Sequence, residues 1–229
     1  MKYIQDKTGR FSQRPHYEPD EIDQACDELL SEFFYKKNTK IAFPLTTEDL
    51  IRLVEQRTDS LDIYADLSSF GDDVEGVTEF QENTFPSVQI SGHLYNNPRM
   101  ENRFRTTLTH ELGHVILHGP IVEMERIERQ SPMFKRSKAS QFEQFVCKRD
   151  NILNAAQVDW MEWQAGYACG SFLMPRWHFL EQVKVFRLSK NIQGDITDRS
   201  TEALLLGAEM ATYFQVSEEA ARIRLIKLD

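Results

Sequence analysis

Apolar positions recur at helical spacing from about Asp20 to Lys37, where Ile22, Cys26, Leu29, Leu30, Phe33 and Phe34 fall on one face. Before them, residues 1–18 are polar and carry Arg14-Pro15-His16 and Glu18-Pro19, the pattern of an extended arm. After a turn at Pro44, Thr46 or Thr47 caps a second helix running to about Arg57, with Glu48 and Asp49 in its first turn. Alternation over Leu61–Leu67 predicts a strand, and Val74–Phe80 and Ser87–Leu94 predict two more around the loop Gln81–Pro86. A small, mostly antiparallel sheet therefore precedes the helix that follows the turn at Asn96–Glu101. That helix starts between Arg99 and Thr107 and must stop or bend after His118-Gly119-Pro120. Residues 123–150 mix both charge signs and read as a solvated loop. Further helices are expected over Asp159–Met174, Arg176–Leu188 and Thr201–Phe214. A last one, capped by Ser217, follows a short turn.

Within the central helix stands His110-Glu111-Leu112-Gly113-His114. Residues four apart on a helix share a face, with Cβ atoms about 5–6 Å apart, so both imidazoles can bind one ion from the same side. Glu111 sits beside the first histidine, placed to serve as a base without ligating. The flanking Leu108, Leu112, Val115, Ile116 and Leu117 bury the helix, and buried histidines need polar partners. Gly113 costs about 1 kcal/mol against alanine inside a helix, which a closely packed neighbour would explain. His118, one turn beyond His114, reads as a supporting or capping histidine rather than a ligand.

Asp159–Met174 is rich in small residues: Ala165, Gly166, Ala168, Cys169, Gly170 and Ser171. A helix this bare can approach another closely, which a carboxylate with a short reach requires. Glu162 is the candidate third ligand. The strand nearest the metal could pair its edge with an extended peptide.

Composition narrows the class. Charged residues are 28% and hydrophobic ones 41% of 229, ordinary for a globular chain. A net charge of −9 argues against general affinity for nucleic acid or anionic membrane. No apolar run is long enough to span a bilayer, and the N-terminus lacks a signal-peptide core. Three unpatterned cysteines, Cys26, Cys147 and Cys169, read as buried thiols rather than a disulfide framework. A reduced, cytoplasmic protein is expected.

Taken together, His110–His114, Leu117-His118 and the run from Glu162-Trp-Gln-Ala165 to Leu173-Met174-Pro175 resemble the ImmA/IrrE family of metallo-endopeptidases. The likeness covers about residues 60–228, including the approach Asn102–Thr109 and the helix-turn-helix-like end at Phe214–Leu225. It implies an α+β fold with a zincin-like metallopeptidase core, surrounding helices and a helix-turn-helix-like C-terminal segment. The expected division is an N-terminal arm and helices over 1–58, the core over 59–190 and the terminal helices over 191–229. The resemblance further implies Zn2+, or Mn2+ or another divalent ion, held by His110, His114 and Glu162, with Glu111 as general base. Family members are often bacterial or phage-linked and cleave repressors, so a regulatory protein is the expected substrate. Many members carry Asn four residues after the ligand glutamate. This chain has Gly166 there, so the hydrogen bond supporting a ligand histidine comes from elsewhere or is missing. Tyr167, His118, His178, Arg176 and Tyr95 are candidates to stabilise an oxyanion.

Two other classes compete. One is a DNA-binding regulator using residues 202–227, favoured by Arg222, Arg224 and Lys227 but opposed by Glu218 and Glu219 at the helix start. The other is a metal-binding interaction protein without hydrolytic activity.

Overall fold

The computed structural model describes residues 1–81, 84–130, 144–148, 159–198 and 200–228. Its architecture is α+β. A four-stranded sheet combines β3 (Ser60–Ala65), β4 (Val74–Glu79), β5 (Ser87–Ser91) and β6 (Gln144–Lys148) in the order β3-β5-β4-β6. The β5–β4 and β4–β6 pairs are antiparallel, and β3–β5 is parallel. The parallel pair is possible because the chain passes through β4 between β3 and β5, with α2 (Thr47–Glu55) leading into β3.

Local chemistry accounts for the helix starts. Glu18 and Glu21 form a reciprocal capping box at α1 (Pro19–Lys36). Thr46 accepts from the Asp49 amide at 3.1 Å to begin α2. A short helix, α3 (Gly92–Tyr95), takes over from β5 where a longer strand was expected. The central helix α4 spans Glu101–Gln130, and α5 spans Trp160–Leu173. Then come α6 (Arg176–Ser189), α7 (Thr201–Phe214) and α8 (Glu218–Leu228). Ser200 and Ser217 cap the last two by accepting from Ala203 and Ala220, each at 3.1 Å.

Three expectations are corrected. The extended arm is instead a hairpin, β1 (Lys2–Gln5) against β2 (Gln13–His16). It is anchored by buried Phe11, edge-on to Trp160, and by the Arg10 guanidinium on Asp159 at 2.9 and 3.2 Å. The central helix does not stop at Pro120. Proline removes one helical hydrogen bond, but Ile121 and Val122 bury beside Phe11, Phe80, Trp160 and Met161, and this offsets the loss. Nor is 123–150 simply a loop. It continues α4 to Gln130 and later supplies β6, while 131–143 and 149–150 lie outside the described residues. Arg126 donates to the carbonyls of Phe80 and Gln81, so its charge is spent on the end of β4 rather than on solvent.

The main core runs under α1, α2, α4, α5, α6, α7 and α8, and includes Leu108, Leu112, Phe104, Phe172, Phe179, Leu206 and Phe214. Cys26 and Cys169 are buried free thiols. No helix among the described residues is long and apolar enough to cross a membrane.

Candidate metal centre

Helices α4 and α5 meet at Gly113. A Cβ there would lie 2.9 Å from the Ala165 Cα and 3.0 Å from the Ala165 carbonyl oxygen, closer than non-bonded atoms tolerate. The glycine and the bare face of α5 thus set the interhelical distance, and that distance delivers Glu162 to the histidine pair.

The result is a tight cluster of donor atoms. His110 Nε2 and His114 Nε2 are 3.1 Å apart, Glu162 Oε2 is 3.3 Å from His110 Nε2, and Glu162 Oε1 is 3.2 Å from His114 Nε2. Nitrogen and oxygen ligands of a tetrahedral ion, with bonds of about 2.0–2.1 Å, are themselves spaced by about 3.3 Å. His110, Glu111 and His114 are fully buried, and Glu162 is 6% exposed. Glu162 Oε2 has no hydrogen-bond partner among the described residues despite its burial, as expected of an atom whose partner is an ion. Donor chemistry, spacing and the unpartnered oxygen all fit a divalent cation.

Electrostatics agree. Burial alone would raise the Glu162 carboxyl, but the His114 and His110 imidazoles outweigh it and hold the group ionised far below the usual carboxylate range. His114, which burial alone would push down, is held above the usual imidazole range by Glu162 and Glu111. The paired charges are what an incoming cation would replace.

Glu111 belongs to the same helix but faces β4. Burial raises its pKa, against the lowering pull of His114 and His110. The Thr78 hydroxyl donates to Glu111 Oε2 at 2.6 Å, while Oε1 has no partner among the described residues. Gly76, two residues earlier on β4, leaves room for the carboxylate, because a Cβ there would lie 2.8 Å from the Glu111 Cδ. Sequence reasoning passed over both residues. A glycine interrupting a strand was the available signal, since it often marks a close approach. The strand nearest the centre is therefore β4, but it is not an edge: β5 and β6 occupy its two sides.

His118 supports His114, with the two Nδ1 atoms 3.0 Å apart. Burial and neighbouring His114 push its pKa well below the usual range. Its Nε2 lies 3.1 Å from Gln164 Oε1, another residue the sequence did not single out. Three other candidate donors to an oxyanion are engaged elsewhere. Tyr167 donates to Asp23 Oδ2 at 3.1 Å and is pushed up to about 12, chiefly by burial. His178 stacks on Phe43 and meets the Tyr213 hydroxyl at 3.0 Å, and Arg176 pairs with Asp20. Tyr95 is 40% exposed, packed edge-on to Tyr64 and Phe104.

The cations nominated for DNA are likewise committed. Arg224 is buried, pairs with Asp23 at 2.5 Å and donates to the Met174 carbonyl, while Arg222 pairs with Asp198. Lys227 lies 5.3 Å over the Tyr167 ring.

Among known proteins, none of the curated ones compared with the chain matches it. The family model of the IrrE N-terminal-like domain, Peptidase_M78, matches residues 92–226, which take in both α4 and α5. That match spans more than half of the chain, and the chain belongs to the Peptidase_M78 family.

Proposed function

We propose that this protein is a metal-dependent endopeptidase with a zincin-like core, in which zinc is held by His110, His114 and Glu162 and Glu111 is the general base. The observation that carries the reading is the cluster of donor atoms, in which the two histidine Nε2 atoms are 3.1 Å apart and each lies 3.2–3.3 Å from one Glu162 oxygen, set beside a buried Glu111 carboxylate with one oxygen unpartnered among the described residues. The family match supports peptide hydrolysis. The resemblance to repressor-cleaving relatives supports a cytoplasmic regulatory protein as substrate.

A bound divalent ion would act as a Lewis acid and bring the pKa of water towards about 7. The chain's own residues divide the remaining work. Thr78 holds Glu111 Oε2, so Oε1 is the oxygen left to take the proton from attacking water and return it to the leaving amine. Gly76 keeps that carboxylate in place by leaving it space. Glu111 is suited to shuttling because burial raises its pKa, the direction that makes a carboxylate a stronger base. The opposing reading, a DNA-binding regulator, loses support because Arg224 and Arg222 are engaged within the fold.

The test is Glu111→Gln. It should retain one zinc ion per chain by elemental analysis and lose cleavage of a protein co-expressed from the neighbouring genes. A variant that still cuts that protein at the wild-type rate would remove Glu111 from the mechanism. A wild-type chain that binds no zinc, manganese or cobalt would remove the metal site.

A further inference from the structure

A chain of one-way hydrogen bonds leads away from the metal centre to the N-terminal hairpin. It starts at the Pro15 carbonyl on β2, which can only accept. Gln164 Nε2 lies 3.1 Å from that oxygen, so the amide's NH2 end must face Pro15. Gln164 Oε1 is thereby turned to His118 Nε2, 3.1 Å away, and as an acceptor it requires a hydrogen on that nitrogen. A neutral imidazole carries one N–H, which leaves His118 Nδ1 a bare acceptor. His114 Nδ1, 3.0 Å away, must then be the donor. A neutral His114 with its proton on Nδ1 presents a lone pair at Nε2, the atom that faces His110 and Glu162.

We propose that Gln164 and His118 are positioning residues that fix the tautomer and ring orientation of His114 for metal binding, with the Pro15 carbonyl setting the direction of the relay. The inference rests on the metal-site reading above. Gly166, four residues after the glutamate, has no side chain to offer, and the support for His114 comes instead from Gln164, two residues after the glutamate, through His118. The two ligand histidines differ in this respect, since His110 Nδ1 has no partner among the described residues. The hairpin carrying Pro15 lies outside the family-matched span, so a segment beyond that span sets the tautomer of a central ligand. Both relay side chains are buried and hydrogen-bonded at each end, which leaves them little rotational freedom.

The experiment uses full-length protein loaded with zinc. Competition with a chromophoric chelator gives the zinc dissociation constant for wild type, Gln164→Ala, His118→Leu and the double variant. Denaturant melts of the zinc-free forms check folding. Each single change should weaken zinc binding about 10- to 100-fold. Because Gln164 acts only through His118, the double variant should bind no more weakly than His118→Leu alone. Independent of any variant, nitrogen-15 spectra of the zinc-loaded wild type should find the His118 proton on Nε2 and the His114 proton on Nδ1. A proton on His118 Nδ1, additive losses in the double variant, or unchanged affinity in both singles would overturn the relay while leaving the metal site standing. Failure of the wild type to bind zinc would overturn the site beneath it.

Discussion

Replacing Gly113 with alanine separates helix stability from site geometry. Alanine would favour an isolated helix by about 1 kcal/mol. Here its methyl would meet the Ala165 Cα at 2.9 Å, the Ala165 carbonyl oxygen at 3.0 Å and the Ala168 Cβ at 3.2 Å. Carbon atoms pack without repulsion at about 3.5–4.0 Å, so α5 must retreat from α4 by roughly 0.5–1 Å. Two of the three contacts are backbone, and neither can rotate aside. Overpacking of this kind costs about 1–3 kcal/mol, which leaves the zinc-free chain destabilised by roughly 0–2 kcal/mol after the helical gain. The site should suffer more. His110 and His114 flank Gly113 on α4, and Glu162 stands one turn from Ala165 on α5, so the retreat pulls directly on the 3.2 and 3.3 Å separations between the histidines and the carboxylate. Ligand distances are held to about 0.2 Å in working metal sites. Zinc affinity is therefore expected to fall at least tenfold, about 1.4 kcal/mol. Chelator competition measures the affinity, and urea melts of the zinc-free protein measure stability. Gly119→Ala is the control on the same helix, because among the described residues its methyl meets only the Phe80 ring, at 3.5 Å. Wild-type zinc affinity in Gly113→Ala would refute the claim that the close approach of the helices builds the site.

Other outcomes follow from the same structure. Gly76→Ala should keep zinc within a few-fold but reduce cleavage by more than tenfold, because its methyl displaces the Glu111 carboxylate; equal losses in both would point to a general disturbance of β4. Arg224→Leu should destabilise the chain by about 3–5 kcal/mol in denaturant melts, since it strands the buried Asp23 carboxylate that also accepts from Ser171 and Tyr167. Half-buried Asp27 is raised to about 6 by burial and then by the Asp23 carboxylate, against the pull of Arg224. A raised carboxyl pKa means stability that is present below the ordinary value near 4 and lost as pH climbs through about 6. Asp27→Asn should therefore stabilise the zinc-free chain more at pH 7.5 than at pH 4.5. The gain is about 1 kcal/mol once screening at this half-exposed group is allowed for, and equal gains at both pH values would exclude the assignment.

What could be read from the amino-acid sequence was what depends on short-range periodicity. The i,i+4 spacing of His110 and His114, the small residues of α5 and the caps at Thr46 and Ser217 each state their purpose within a few positions. Strand β6 and the hairpin did not, because runs of five or fewer residues show too little alternation and acquire a strand's identity only from the partner they pair with. The fate of Pro120 was misjudged for a related reason. The local rule counts the lost hydrogen bond, while the burial of Ile121 and Val122 beside Trp160 is a tertiary fact.

The same distinction separates the proposed ligands from what would make them usable. His110, His114 and Glu162 all fall inside the span shared with the family, and two helices suffice to bring them together. Thr78 and Gly76, which hold Glu111 and give it room, lie on β4, before that span begins. So does Pro15, whose carbonyl orients Gln164. None of these three carries a signature of metal chemistry. A threonine, a glycine and a backbone oxygen become chemically significant only when a sheet and a hairpin press them against the two helices. A segment holding the ligands alone would therefore have the donors for an ion, but neither the support that frees one oxygen of Glu111 nor the acceptor that starts the relay to His114.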